Sequence, residues 1–187
     1  MTIPNYLSLF RIILIPVMVA VYFIPFQWAH MLAAAIFALA AFTDLIDGFL
    51  ARLLGQITPL GEFLDPVADK LIVATAIILI ISHGRMPYLT LPALIIVGRE
   101  IAVSALREWM AELGKRASVA VSFMGKIKTA VQMISLIILL ALHPDSTRWL
   151  FFGGYLLFYA AALLTLWSMC VYFKAAWPML IKANESV

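Results

Sequence analysis

Uncharged apolar runs broken by short polar punctuation organise the whole chain. Taken from one break to the next, they predict helices near residues 7 to 25, 29 to 54, 61 to 82, 88 to 110, 123 to 142 and 148 to 174. These lengths match or exceed the roughly 20 residues an α-helix needs to cross the hydrocarbon of a bilayer. Pro25, the Gly84-Arg85-Met86-Pro87 stretch and His143-Pro144-Asp145 mark short connectors on one side. Residues 111 to 122, with Gly114 and the small residues Ala117, Ser118 and Ala120, form the longest connection on the other. Thr58 followed by Pro59 is an N-cap with proline at the first helical position, so the third helix should begin there, after the second ends near Gly55. The expectation is an all-α integral membrane protein, six transmembrane helices forming one domain over residues 1–187.

Composition agrees. Of 187 residues, 65% are hydrophobic and 12% charged, where a soluble domain carries about 25% charged residues. The positive charges are unevenly shared. Arg11, Arg52, Arg107, Lys115, Arg116, Lys126, Lys128, Lys174 and Lys182 fall on the side of the even connections and the termini, and Arg85 and Arg148 fall opposite. Positive charge marks the cytoplasmic side, so both termini are expected there. The net charge of +3 suits anionic lipid headgroups and requires no nucleic acid. The first apolar stretch has no small-residue cleavage site and is expected to stay in the mature protein. Cys170 is the only cysteine, which excludes an internal disulfide and a cysteine-based zinc site.

Four aspartates interrupt this apolar pattern: Asp44, Asp47, Asp65 and Asp69, in TDLIDGFLARLLGQITPLGEFLDPVADK. An unpaired carboxylate in such surroundings costs several kcal/mol, roughly, which a bound cation offsets. At about 100° per residue, Asp44, Asp47, Gly48 and Ala51 share one helical face, while Gly61, Asp65 and Asp69 repeat at four-residue spacing on the next helix. Antiparallel packing of the two helices would gather all four acids at the cytoplasmic end. Carboxylate oxygens suit magnesium or manganese better than zinc. Gly48, Ala51 and Gly61 lack bulk, which lets a phosphate approach the backbone or lets two helices pack closely. Two metals at a pyrophosphate would neutralise both the attacked phosphorus and the leaving phosphate, and a carboxylate could take a proton from an incoming hydroxyl.

The stretch DLIDGFLARLLGQITPLGEFLDPVAD fits DxxDGxxAR(x8)GxxxDxxxD at every fixed position. It resembles the CDP-alcohol phosphotransferase family. That resemblance implies two divalent metals on Asp44, Asp47 and Asp65, with Asp69 completing the second site and serving as general base. It also implies that Gly48, Arg52 and Thr58 hold the CDP group and that the N-terminal Pro4-Asn5-Tyr6-Leu7-Ser8 stretch, with Arg11, closes over the nucleotide, placing Asn5 and Ser8 at CDP-diacylglycerol.

Arg99-Glu100, Arg107-Glu108, Lys115-Arg116 and Gly125-Lys126-Ile127-Lys128 concentrate positive charge in the second half, which points to a phosphorylated acceptor. Arg99 and Arg107 are about 80° apart around a helix, so both can face one pocket. Lys115, Arg116 and Lys128 can equally be headgroup anchors, and Glu100 can neutralise Arg99. REIAVSALREWMAELGKRASVAVSFMGKIKTAVQ and the opening IPNYLSLFRIILIP are similar to bacterial members of the family that use sn-glycerol 3-phosphate. Implied with them are the acceptor's phosphate on Arg99, Arg107 and Lys126, its hydroxyl facing Asp69, a homodimer, and a place in the bacterial cytoplasmic membrane with the site at the cytoplasmic face. Inositol phosphate, serine or phosphatidylglycerol as acceptor, and divalent cation transport, are the alternatives. Direct transfer is expected, because no serine, cysteine or histidine stands beside the acids as an evident nucleophile. His30, His83 and His143 are expected as interfacial residues of outer loops, remote from the acids.

Overall fold

The structure, a computed structural model, describes residues 3–54, 58–82, 88–112, 123–143 and 146–184. Among them all regular structure is helical: α1 (Ile3–Phe23), α2 (Ala29–Leu54), α3 (Pro59–Ser82), α4 (Thr90–Glu112), α5 (Phe123–Ala141) and α6 (Arg148–Asn184). Thr58 caps α3 as expected: the Gly61 N–H donates to Thr58 Oγ1 at 3.1 Å, and Pro59 takes the first helical position, where its missing N–H costs nothing. Two boundaries differ by more than two residues, and the first is the start of α1, which begins at Ile3 and not near residue 7. The apolar run predicts an end to α6 near residue 174, but the helix continues to Asn184. Lys174 ends the apolar run without ending the helix, which continues through Pro178. The Gly84 to Pro87 turn, the connection at residues 113–122 and His83 lie outside the described residues.

Two compact units make up the chain: Met1–Pro87 with Met133–Tyr155, and Tyr88–Gln132 with Leu156–Val187. In the first, α1 packs against α2 and α3, which also touch each other. The inward positions follow helical spacing: Leu14, Met18 and Tyr22 on α1, Ala29, Ala33, Phe37 and Ala40 on α2, and Ala68, Ile72, Ala76 and Ile80 on α3 are buried. Alanines along α2 let neighbouring backbones approach, so packing rests on close van der Waals fit. Outward positions carry Phe10, Ile13, Val17, Leu39, Phe42, Leu71 and Ile78, all exposed. Asn5–Phe23 and Arg148–Val171 are long and apolar enough to cross a membrane, and Ala29–Asp44 and Ile127–Ala141 are shorter apolar helices.

α5 and α6 meet closely in the first unit. Ser135 Oγ donates to the Gly154 carbonyl at 3.4 Å. A Cβ added to Gly154 would lie 2.7 Å from Leu139 Cδ2 and 3.2 Å from Ile138 Cγ2, whereas one on Gly153 meets nothing within 4 Å. Gly154→Ala is therefore expected to destabilise by about 1–3 kcal/mol through overpacking. Gly153→Ala should match or slightly exceed the parent in a thermal melt, and equal melting of the two variants would contradict this account.

Candidate active site

α1 carries a polar edge in an otherwise apolar helix. Asn5, Ser8 and Arg11 recur every three residues and are buried, Ser8 and Arg11 completely. The spacing puts them along one side of the first turns. Each engages a different part of the aspartate motif. Thr58 Oγ1 donates to Asn5 Oδ1 at 2.7 Å while accepting from Gly61, so Asn5 is tied to the cap of α3. Ser8 Oγ donates to Asp65 Oδ1 on α3. Arg11 Nη1 pairs with Asp44 Oδ1 on α2 at 2.7 Å, and the Asp44 side chain remains 37% exposed. Asp69 is half-buried one turn beyond Asp65. Asp47, Gly48 and Arg52 lie on α2, with side chains outside those described.

Asn5, Ser8 and Thr58, expected at the nucleotide, are thus tied to one another's helices or to a carboxylate. The ion pair of Arg11 with Asp44 is absent from the sequence reading, although the three-residue recurrence of Asn5, Ser8 and Arg11 in NYLSLFR was a visible signal for it. Among the described residues no three acid, histidine or cysteine side chains gather tightly enough to hold a metal. The donor chemistry does fit a hard divalent cation. Asp44, Asp65 and Asp69 offer only carboxylate oxygens, Asp47 adds a fourth acid to the motif, and the Asp44 carboxylate is partly exposed and already faces a cation.

The second unit holds a basic cluster. Arg99 on α4 donates through Nη1 to Glu100 Oε1 at 3.1 Å and through Nη2 to Ser168 Oγ on α6 at 3.3 Å. Lys128 Nζ on α5 stands 3.8 Å from the same Glu100 oxygen. Glu100 therefore neutralises Arg99 as the sequence allowed. Lys128 departs from the reading of an ordinary headgroup anchor, because it is 3% exposed and paired. Its signal was the periodicity of α5, on which Lys128, Gln132 and Ser135 are buried polar residues along one side. Arg107 on α4 and Lys126 on α5 have side chains outside those described.

His30 also departs from expectation. It lies in the first turn of α2 and is buried, edge-on to Tyr22 at 4.6 Å between ring centroids and 5.9 Å from His143. It is thus a packing residue inside the first unit. Cys170 is exposed on α6.

A family model described as CDP-alcohol phosphatidyltransferase matches residues 1–173. A Salmonella typhimurium protein called CDP-diacylglycerol--glycerol-3-phosphate 3-phosphatidyltransferase is 55% identical over 174 residues, covering 93% of this chain and 94% of its own length. Proteins of the same name from Pseudomonas fluorescens and Yersinia enterocolitica are each 52% identical over 182 residues, covering 96% and 97% of this chain and 92% and 98% of their own lengths. A match to the family model that takes in both units and the whole aspartate motif, with relatives more than half identical from end to end, carries one conclusion: the chain belongs to the CDP-alcohol phosphatidyltransferase family.

Proposed function

We propose that the protein transfers the phosphatidyl group of CDP-diacylglycerol to sn-glycerol 3-phosphate, forming phosphatidylglycerophosphate and CMP. The observation that carries this reading is the end-to-end identity of 52 to 55% with relatives named for that reaction. The continuous match over residues 1–173 also supports treating the two units as one domain.

In this reading Asp44, Asp47, Asp65 and Asp69 hold two magnesium or manganese ions, which supply positive charge at the pyrophosphate when bound. The remaining steps belong to side chains of the protein. Asp69 takes the proton from the primary hydroxyl of the acceptor. The hydroxyl oxygen then bonds to the phosphorus that carries the diacylglycerol. The bond from that phosphorus to the oxygen bridging to CMP breaks, and CMP leaves with the electron pair. Gly48, Arg52 and Thr58 contact the CDP moiety, with Asn5 and Ser8 at its edge. Arg99, Arg107 and Lys126 hold the phosphate of the acceptor, where guanidinium forks suit paired phosphate oxygens.

Six membrane-spanning helices, cytoplasmic termini, a site at the cytoplasmic face of a bacterial inner membrane, and a homodimer complete the reading. The distribution of basic residues and the exposed apolar side chains of α1, α2 and α3 support the membrane placement.

The test is release of CMP from CDP-diacylglycerol by purified protein in detergent with magnesium or manganese, comparing glycerol 3-phosphate, inositol phosphate and serine. Turnover with glycerol 3-phosphate alone is expected, and turnover with another acceptor instead would overturn the assignment. Arg99→Ala should raise KM for glycerol 3-phosphate by about 10- to 100-fold, the loss of one charge-assisted contact. KM for CDP-diacylglycerol should stay near the parent value. A shift in the second constant and not the first would remove Arg99 from the acceptor site.

A further inference from the structure

Arg11 stands out once the site is assembled. It is the largest fully buried side chain among the described residues, and it sits inside the helix trio with its Nη1 on Asp44 Oδ1 at 2.7 Å. Its guanidinium brings a positive charge into the aspartate motif. Arg11 is placed there by α1, two turns from the start of the helix, with Ser8 one turn before it donating to Asp65. The anchoring does not depend on the ion pair alone. Leu14, Met18 and Tyr22 continue the buried side of α1, and Asn5 fastens its first turn to the cap of α3.

We propose that Arg11 is the resident counter-cation of the carboxylate cluster, a positioning residue that acts through Asp44 and lowers the affinity of the site for divalent metal. The inference rests on the reading of the aspartates as metal ligands. In the substrate-free protein the guanidinium supplies positive charge to acids that would otherwise repel one another at the edge of an apolar helix bundle. A divalent ion that binds Asp44 must share that carboxylate with a cation already there. The two like charges repel most strongly where water is scarce. Metal held against this opposition binds more weakly without its nucleotide partner, and the pyrophosphate of the substrate then supplies the negative charge that favours loading. Removing Arg11 frees the Asp44 side chain, a small entropic cost to metal binding, and removes a whole positive charge from the metal's surroundings. The charge effect is the larger, so metal affinity rises.

The experiment is titration of purified, substrate-free protein with Mn2+, read from the loss of the free-ion electron paramagnetic resonance signal, with folding checked by gel filtration and circular dichroism. Arg11→Gln is expected to tighten Mn2+ binding about tenfold or more, equivalent to about 1.4 kcal/mol. A merely structural role would weaken binding or leave it unchanged, and either result in folded Arg11→Gln overturns the proposal. Asp65→Asn separates this from the reading beneath it. If the parent binds no Mn2+, or Asp65→Asn binds it as tightly as the parent, the aspartates are not metal ligands and the inference falls with them. Should Arg11→Gln not fold, Arg11→Lys decides. A point charge suffices for a counter-cation, so Mn2+ affinity within about threefold of the parent is expected, whereas a loss of about tenfold means that the guanidinium shape matters and overturns the proposal.

Discussion

Asp69→Asn is expected to lower the rate of CMP release about a thousandfold, the range lost when a positioned general base is removed. Asp69 is half-buried on α3, one turn beyond Asp65, where the helix sets the relation between the two carboxyl groups. Asparagine keeps the shape and the hydrogen-bonding reach of aspartate but neither the charge nor the basicity. The variant should therefore fold, melt near the parent temperature and still bind CDP-diacylglycerol. With metal saturating, to offset the loss of one metal ligand, its deficit should lie mainly in kcat, because a base is used in the transition state and contributes little to ground-state binding. Single-turnover release of CMP, with acceptor saturating, is the measurement. Activity within about tenfold of the parent would remove Asp69 from the role of base.

Gly61→Ala should show the second large effect, and on stability as well as rate. A Cβ at position 61 would stand 2.8 Å from Asn5 Oδ1 and 3.2 Å from Thr58 Oγ1. No real Cβ tolerates the first distance, so Asn5 must swing away. Its bond from Thr58 breaks with that motion. Thr58 would also be pressed by the new methyl while capping the helix that carries Asp65 and Asp69. Loss of one buried hydrogen bond with some overpacking costs about 2–3 kcal/mol. In a chain of this size that is a fall of about 5–10 °C in melting temperature. Gly98→Ala is the control, since a Cβ there meets nothing within 4 Å. If the two variants melt together, the Asn5 to Thr58 link has no structural importance. The motif's glycine thus has a steric reason, closeness to the N-terminal helix, that does not require a ligand.

Local features of this chain were legible from local signals. Apolar run lengths placed α2 to within a residue at each end, and Thr58-Pro59 located the start of α3, because a cap and an N1 proline act within one turn. The spacing of the aspartates made the family legible for the same reason. Contacts across the chain were not legible. Nothing near Ser8 in sequence names Asp65 as its acceptor, and nothing near Arg11 names Asp44. Periodicity says which side of α1 is polar but not what faces it. Lys128 was left open and His30 was misread for a related reason. A charge or an imidazole near a helix end suggests an interface, and only the packing of neighbouring helices reveals that both side chains are buried. The tight approach at Gly154 was equally invisible, because Gly153 beside it looks identical in sequence and meets nothing.

The polar edge of α1 also has a consequence for the order in which the protein is made. Ser8 lies 57 residues before Asp65, and Asn5 lies 53 before Thr58. Asp44 follows Arg11 by 33 residues, from 11 to 44. At about 5–20 residues per second, a ribosome adds Asp65 roughly 3–11 seconds after it adds Ser8. Through that interval Asp65, which accepts from Ser8, does not yet exist, whereas Asp44, which pairs with Arg11, is made earlier. The positive charge of the first helix is thus matched by the second, and the third closes the arrangement. A chain arrested between α2 and α3 would carry the ion pair without the latch that fixes α1 to the rest of the motif.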